Sequence, residues 1–201
     1  MIRILVAEDE HLIREAMSAL LALESDLEII AQASSGPEAV VAARTHRPDV
    51  AVLDLQMPGI DGIAAAREIL HDDPGCRVLI VTSHGMPGHL KRSLEAGVSG
   101  FVPKTISATK LADAIRTVHD GERYIDPALA ADAIAAGDSP LSARETDILA
   151  LATDGAPVTE IARRACLAPG TVRNYLSSAL TKLGAGNRHE AVHIARSHGW
   201  V

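Results

Sequence analysis

Five residues far apart in the chain carry groups that could act together on a phosphoryl group. Glu8 and Asp9 follow the aliphatic run Ile2–Ala7, Asp54 closes Val50–Asp54, Thr82 closes Arg77–Thr82, and Lys104 lies just past Gly100–Val102. All stand at the C-terminal ends of apolar runs, where an open parallel sheet places its ligands. Three carboxylates at one sheet edge repel one another and raise each other's pKa unless a cation joins them. Oxygen-only ligands suit Mg²⁺, which takes one or two carboxylates, keeps waters and coordinates phosphate. A carboxylate can also attack phosphorus to form an acyl phosphate, while a metal, a hydroxyl and an ammonium neutralise the equatorial oxygens of the transferring group.

The elements that must position these groups follow from the apolar pattern. Strands are expected at Ile2–Ala7, Leu27–Ala33, Val50–Asp54, Arg77–Thr82 and Gly100–Val102, each followed by a segment of helical period. Leu12, Ala16, Ala19, Leu20 and Leu23 share one face of the first helix, and Leu111, Ala114, Ile115 and Val118 share one face of the fifth. Parallel neighbours need crossover connections that cover both faces of the sheet, so the pattern predicts an α/β fold with a five-stranded, doubly wound, flavodoxin-like parallel sheet. Residues 121–138, with Gly121, Pro127 and an alanine-rich piece, read as a linker. After Ser139-Pro140 the pattern is wholly helical, with helices expected near 142–153, 158–165, 169–183 and 187–198. Ser142 and Glu145 have capping-box spacing, and Ala168-Pro169-Gly170-Thr171 is a short entry to the third of these helices. The expected organisation is a doubly wound α/β domain over 1–120, a linker over 121–138 and a smaller all-α domain over 139–201.

Composition agrees with a globular protein. The 201 residues are 47% hydrophobic, 22% charged and 2% aromatic, which excludes a disordered tail, collagen or a coiled coil and requires an aliphatic core. No apolar run approaches the roughly 18–20 residues of a membrane span, so no membrane insertion is expected. The first strand runs straight into Glu8-Asp9-Glu10 without a small-residue cleavage site, so a cytoplasmic location is expected. Cys76 and Cys166 are isolated, which indicates neither a disulfide framework nor a zinc site. His189 and His193 are spaced i,i+4 but have no third ligand nearby in sequence. Residues 1–138 hold 12 Lys and Arg against 21 Asp and Glu, a net −9, whereas residues 139–201 hold 7 against 5, a net +2. The asymmetry suggests two domains with different partners.

The acidic constellation resembles the receiver domain of two-component response regulators over the whole of 1–120. The matching residues are Glu8-Asp9, Asp54 in Val-Leu-Asp-Leu-Gln-Met-Pro-Gly-Ile-Asp-Gly, Thr82 in Val-Thr-Ser, and Lys104 in Gly-Phe-Val-Pro-Lys. The resemblance implies that Asp54 is the phosphoacceptor and that Asp9, Asp54 and the Gln56 backbone carbonyl hold Mg²⁺, with Glu8 acting through a metal-bound water. It further implies that Thr82 and Lys104 hold phosphoryl oxygens and that Phe101 is the switch aromatic beside Thr82. Gln56 and His84, two residues after Asp54 and Thr82, fall where this family varies its side chains to tune phosphate lifetime.

The second half resembles the LuxR-type helix-turn-helix over about 141–201, through Leu141-Ser142-Ala143-Arg144-Glu145, Thr159-Glu160-Ile161-Ala162, Gly170-Thr171-Val172-Arg173-Asn174-Tyr175-Leu176 and Asn187-Arg188-His189-Glu190-Ala191. Val172, Leu176, Ala179, Leu180 and Leu183 form an apolar stripe on the third helix of this region, and Arg173, Asn174, Ser177, Ser178, Thr181 and Lys182 lie opposite. Arg can pair with guanine and Asn with adenine, while Lys and Ser suit phosphates. The resemblance puts Arg173, Asn174 and Ser177 nearest bases, and Ser178 and Lys182 complete the expected DNA-contact set. In this family the last helix, here with Ala191, Ile194 and Ala195 on one face, makes a two-fold dimer.

Together the two halves resemble the NarL/FixJ class of response regulators, most closely the DesR branch, which is associated with membrane-lipid control. The implied function is a transcription factor switched by phosphoryl transfer from a sensor histidine kinase to Asp54, followed by dimerisation and binding to double-stranded promoter DNA. An aspartyl-nucleophile phosphatase or phosphotransferase would want a second Asp two residues after the nucleophile, where Gln56 stands. The implied chemistry is therefore no enzyme activity beyond Mg-dependent self-phosphorylation and autodephosphorylation at Asp54. A dinucleotide enzyme would need a glycine-rich loop where Glu8-Asp9-Glu10 follows the first strand. The remaining alternative is a regulator that binds DNA independently of phosphorylation.

Overall fold

The structure is a computed structural model that describes residues 1–83, 87–135, 137 and 139–201; His84 lies outside the described residues. The chain divides into two compact units, one made chiefly of residues 1–130 and the other chiefly of residues 131–201.

The first unit runs β1 (Ile2–Ala7), α1 (His11–Leu21), β2 (Leu27–Ala33), α2 (Gly36–His46), β3 (Val50–Asp54), α3 (Gly62–Asp72), β4 (Arg77–Thr82), α4 (Pro87–Glu95), β5 (Gly100–Pro103), α5 (Ala108–His119) and β6 (Tyr124–Ile125), which leads into α6 (Pro127–Ala135). The strands form one parallel sheet in the order β2-β1-β3-β4-β5-β6. Because β1 is flanked by β2 and β3, the chain reverses its direction of travel across the sheet there, and a crevice opens at the C-terminal ends of β1 and β3. The central strands β3, β4 and β5 are buried on both faces because helices cover both, whereas edge strand β2 exposes Glu28 and Gln32. Ile4, Val6, Val50, Val52, Leu79, Val81 and Val102 pack against Leu21 of α1 and Leu111, Ile115 and Val118 of α5. Their sequence neighbours Leu5, Leu53, Ile80 and Phe101 turn to the opposite face, as period two requires, and are buried there.

Local chemistry sets the helix starts. The side chains of Ser35, Asp61 and Ser107 accept the backbone N–H groups of Glu38, Ala64 and Lys110, satisfying donors that a helix leaves orphaned in its first turn. Gly62 begins α3 directly against β3, donating its N–H to the Leu55 carbonyl at 2.9 Å.

The structure departs from the sequence expectation at three places. The first helix buries Ser18 and Leu21, with Met17 half-buried beside them, while Leu12, Leu20 and Leu23 are 81%, 48% and 80% exposed. The apolar stripe expected to face the core therefore faces outward. In addition, the segment read as linker contributes β6, whose Tyr124 and Asp126 N–H groups donate to the Ser99 and Phe101 carbonyls at 3.0 Å each. Asp126 then starts α6, its Oδ1 accepting from Ala128 N–H at 3.0 Å and Leu129 N–H at 3.3 Å.

The second unit contains α7 (Ala143–Ala150), α8 (Val158–Ala165), α9 (Pro169–Leu183) and α10 (Arg188–His198). Its core joins Leu149, Ile161, Val172, Leu176, Ala191 and Ala195. A left-handed Cys166, φ 55°, ends α8, and Pro169 supplies a preset φ at the start of α9. Here lies the third departure. Ala191 and Ala195, expected on a dimer face, are wholly buried within the unit, because α10 needs its small residues to pack closely on its own neighbours.

A Cβ at Gly62 would collide with the Asp54 carbonyl oxygen. Gly62→Ala is therefore expected to destabilise the first unit by about 1–3 kcal/mol, the usual cost of overpacking. Urea midpoints followed by circular dichroism check this.

Candidate functional site

The sheet edge brings together most of the residues singled out in the sequence. The ends of β1 and β3 place Glu8, Asp9 and Asp54 so that one carboxylate oxygen from each lies within 4.8 Å of the others. Lys104 enters from the end of β5, fixed by its backbone N–H donating to the Thr82 carbonyl at 2.8 Å. Its Nζ stands 2.7 Å from Glu8 Oε2, donates to Glu8 Oε1 at 2.9 Å and lies 3.2 Å from Asp54 Oδ2. Glu10 Oε1 is at 4.0 Å on the outer side. Glu8 and Asp54 are buried and Asp9 is exposed, so the cluster opens to solvent over Asp9. Arg14 Nη1 donates to the Glu8 carbonyl at 2.6 Å and ties the loop to α1, a contact that no local sequence signal announces. Thr82 is buried at the end of β4, Gln56 is exposed just past β3, and Phe101 is buried.

The electrostatics reflect burial against one shared cation. Loss of solvent pushes the Glu8 carboxyl above its ordinary range despite the hydrogen bond from Lys104. The same desolvation raises Asp54, against the pull of Lys104 and a hydrogen bond from the Gln56 N–H. Burial acts to lower Lys104, but the hydrogen bond to Glu8 and the charge of Asp54 outweigh it and hold the ammonium above its usual value. One ammonium thus faces two buried carboxylates and an exposed one. Glu8 Oε2 is shut from solvent and lacks a hydrogen bond of good geometry even though Lys104 Nζ is close. A hard divalent cation fits this all-oxygen, under-neutralised set, and Glu8, Asp9 and Asp54 are the groups that could hold it.

In the second unit, α8 and α9 with the short turn at Cys166–Ala168 form a helix-turn-helix. Arg173, Asn174 and Ser177 project from α9 into solvent. Ser178 and Lys182 are engaged elsewhere: the Ser178 hydroxyl donates to Glu145 Oε1 at 2.6 Å, and Lys182 Nζ donates to Glu145 Oε2 at 2.7 Å. Glu145 also accepts the Ser142 N–H at 2.6 Å, completing the capping box that begins α7. Hydrogen bonds from Lys182, Ser178 and the Ser142 N–H, the first two the strongest influences, hold this carboxyl, only 5% exposed, down to a pKa of about 2. The sequence shows the capping box but not the reach to α9, because the partners lie 33 and 37 residues away. Arg188 is a second residue without a local signal; it donates to the carbonyls of Ala156 and Gly155 at 2.7 and 3.2 Å and fixes the α7–α8 connection.

A family model described as the response regulator receiver domain matches residues 4–116, and one described as bacterial regulatory proteins, luxR family, matches residues 139–195. The chain is 39% identical over 200 residues to the transcriptional regulatory protein DesR of Bacillus subtilis (strain 168), covering 100% of this chain and 99% of that protein. It is 37% identical over 204 residues to the response regulator RamR of Streptomyces coelicolor, covering 100% and 98%. Among solved structures, the response regulator ChrA of a heme-sensing two-component system aligns over 100% of this chain and 98% of its own, with 30% identity and a TM-score of 0.60. The RcsB–DNA complex shares the fold, with a TM-score of 0.71 at 23% identity over 98% of each chain.

The depressed Glu145 pKa has a signed consequence. Its stabilisation is fully present above the unfolded-state value of 4.5 and is lost as pH falls toward about 2. Glu145→Gln is therefore expected to lower the urea midpoint of the second unit at pH 6, with the deficit shrinking as pH falls toward 3. Fluorescence of Trp200, the single tryptophan, which packs on this unit's core, reads the transition.

Proposed function

Because this chain belongs to the response regulators, with a receiver domain followed by a luxR-type DNA-binding domain, we propose that a sensor histidine kinase phosphorylates Asp54 and that the phosphorylated protein pairs with a second copy and binds promoter DNA. The domains are taken as 1–120 and 139–201, joined through 121–138, of which Tyr124–Ile125 completes the first unit's sheet. The meeting of Glu8, Asp9, Asp54 and Lys104 at one sheet edge carries the reading.

In the transfer, a carboxylate oxygen of Asp54 forms a bond to phosphorus as the bond from phosphorus to the donor's histidine nitrogen breaks, and that nitrogen keeps the electron pair. The product is an acyl phosphate. Mg²⁺, when bound, neutralises charge on the transferring group; Glu8, Asp9 and Asp54 are positioned to hold it, with the Gln56 carbonyl as a further oxygen. Lys104, already beside Asp54, holds one phosphoryl oxygen, and the Thr82 hydroxyl holds another. Drawing Thr82 inward changes the packing around β4 and β5, and with it the position of Phe101, in a population shift between two states.

The surface of α1 supports pairing with a second copy. Leu12 and Leu20 line a cleft of about 350 Å³ with Ile106 and Leu111, and Lys104 and Val81 continue it to the phosphorylation site. Exposed leucines here, set against the burial of Ala191 and Ala195 in α10, favour the receiver as the dimer surface. No helix among the described residues is long and apolar enough to cross a membrane, and the proposed place of action is the cytoplasm, where a kinase domain and DNA are both within reach.

After incubation with Mg²⁺ and a small-molecule phosphodonor, intact mass is expected to show one added phosphoryl group on the wild type and none on Asp54→Asn. Addition to both would place the phosphoacceptor elsewhere. Leu20→Asp is expected to accept the phosphoryl group but elute as a monomer in size exclusion, whereas the phosphorylated wild type elutes as a dimer.

A further inference from the structure

Lys182 is the single lysine of residues 139–201, and it flanks the exposed row Arg173, Asn174, Ser177 and Thr181 on α9. A long ammonium in that position beside DNA would ordinarily reach a phosphate and add to sequence-independent affinity. Here its Nζ is bound to a buried carboxylate that two further donors hold in place: the Ser178 hydroxyl and the Ser142 N–H of the capping box that begins α7. For Lys182 to reach a phosphate it must leave Glu145 buried with its charge uncompensated, which is strongly unfavourable.

Other cations of this unit are paired differently. Arg163 and Arg164 bind Glu160 and Asp154, and Arg144 faces Asp147, but these carboxylates are not buried and such surface pairs exchange for phosphates at little cost. Only the Glu145 pair locks a cation that lies along the reading helix. Arg173 remains the cation of the exposed α9 row with no carboxylate partner among the described residues.

We infer that Glu145 is a specificity-determining positioning residue, which holds Lys182 away from the DNA backbone so that the Arg173–Asn174–Ser177 face, rather than nonspecific phosphate contact, dominates recognition. The inference rests on residues 139–201 binding DNA. The carboxylate acts through Lys182 and touches no nucleotide itself.

The test is the salt dependence of binding by the full-length phosphorylated protein to a 30-base-pair duplex of random sequence, from about 50 to 200 mM salt, the range over which phosphate contacts dominate affinity changes. Lys182→Gln keeps an N–H donor for Glu145, and its slope of log affinity against log salt is expected to equal that of the wild type. Glu145→Gln remains compatible with the capping box, and its slope is expected to steepen by about 0.9 per bound copy, so that its affinity relative to wild type changes about threefold per copy across this fourfold range. Glu145→Gln combined with Lys182→Gln is expected to return to the wild-type slope, which a purely structural role for Glu145 would not produce. Trp200 fluorescence confirms that each variant is folded. A slope reduced by about 0.9 in Lys182→Gln, or an unchanged slope in Glu145→Gln, overturns the inference while DNA binding stands. Absence of any binding by the wild type overturns both.

Discussion

Burial of two carboxylates, Glu8 and Asp54, beside a third, Asp9, with their mutual repulsion added to the loss of solvent, is the constraint around which the first unit is arranged. Two of these carboxylates are buried at the ends of adjacent strands, and burial raises both of their pKa values. Such a cluster is tolerated only with cations close by. Lys104 provides one, delivered by β5 and fixed through the Thr82 carbonyl. It neutralises only part of the charge, and this deficit makes the same edge receptive to a metal ion and to a phosphoryl group. The sheet order supplies the rest, because only at the reversal point between β1 and β3 do two acidic strand ends become neighbours in an open crevice.

The second unit uses a lysine–carboxylate pair to a different end. Glu145 is as well buried as Asp54, yet its pKa falls rather than rises. Two things differ: desolvation is the dominant influence on Asp54, deep in the sheet edge, and a minor one on Glu145, and Glu145 receives hydrogen bonds from Lys182, Ser178 and Ser142, whereas Glu8 and Asp54 share a single ammonium between them. A satisfied carboxylate fixes helix α9 on α7. An incompletely satisfied one leaves a site open to a ligand.

Much of this was legible in the sequence because the central parallel strands, buried on both faces, read as largely aliphatic runs, and even edge strand β2, with Glu28 and Gln32 exposed, keeps an apolar majority. The first four strands begin and end where those runs do, and the fifth extends one residue further to Pro103. The receptive site was legible for the same reason, since its residues are the polar ones that close or directly follow four of those runs. What escaped the sequence was set by contacts between distant segments. The outward turn of Leu12, Leu20 and Leu23 and the inward turn of Ala191 and Ala195 both obey helical period, but period alone does not say which way a stripe faces. Tyr124–Ile125 is too short to show alternation, and its strand character comes wholly from pairing with β5. The link from Glu145 to Ser178 and Lys182 spans more than thirty residues, so the polar face of α9 read as uniformly free for DNA when part of it is engaged within the protein.

The most direct measurement is isothermal titration of Mg²⁺ into the wild type and Asp9→Asn at neutral pH. If the carboxylate cluster is held in want of a cation, the wild type binds one equivalent, and Asp9→Asn loses at least the roughly tenfold in affinity that removal of even an outer-sphere partner costs. Absence of binding by the wild type, or equal affinity in the two proteins, would contradict the account.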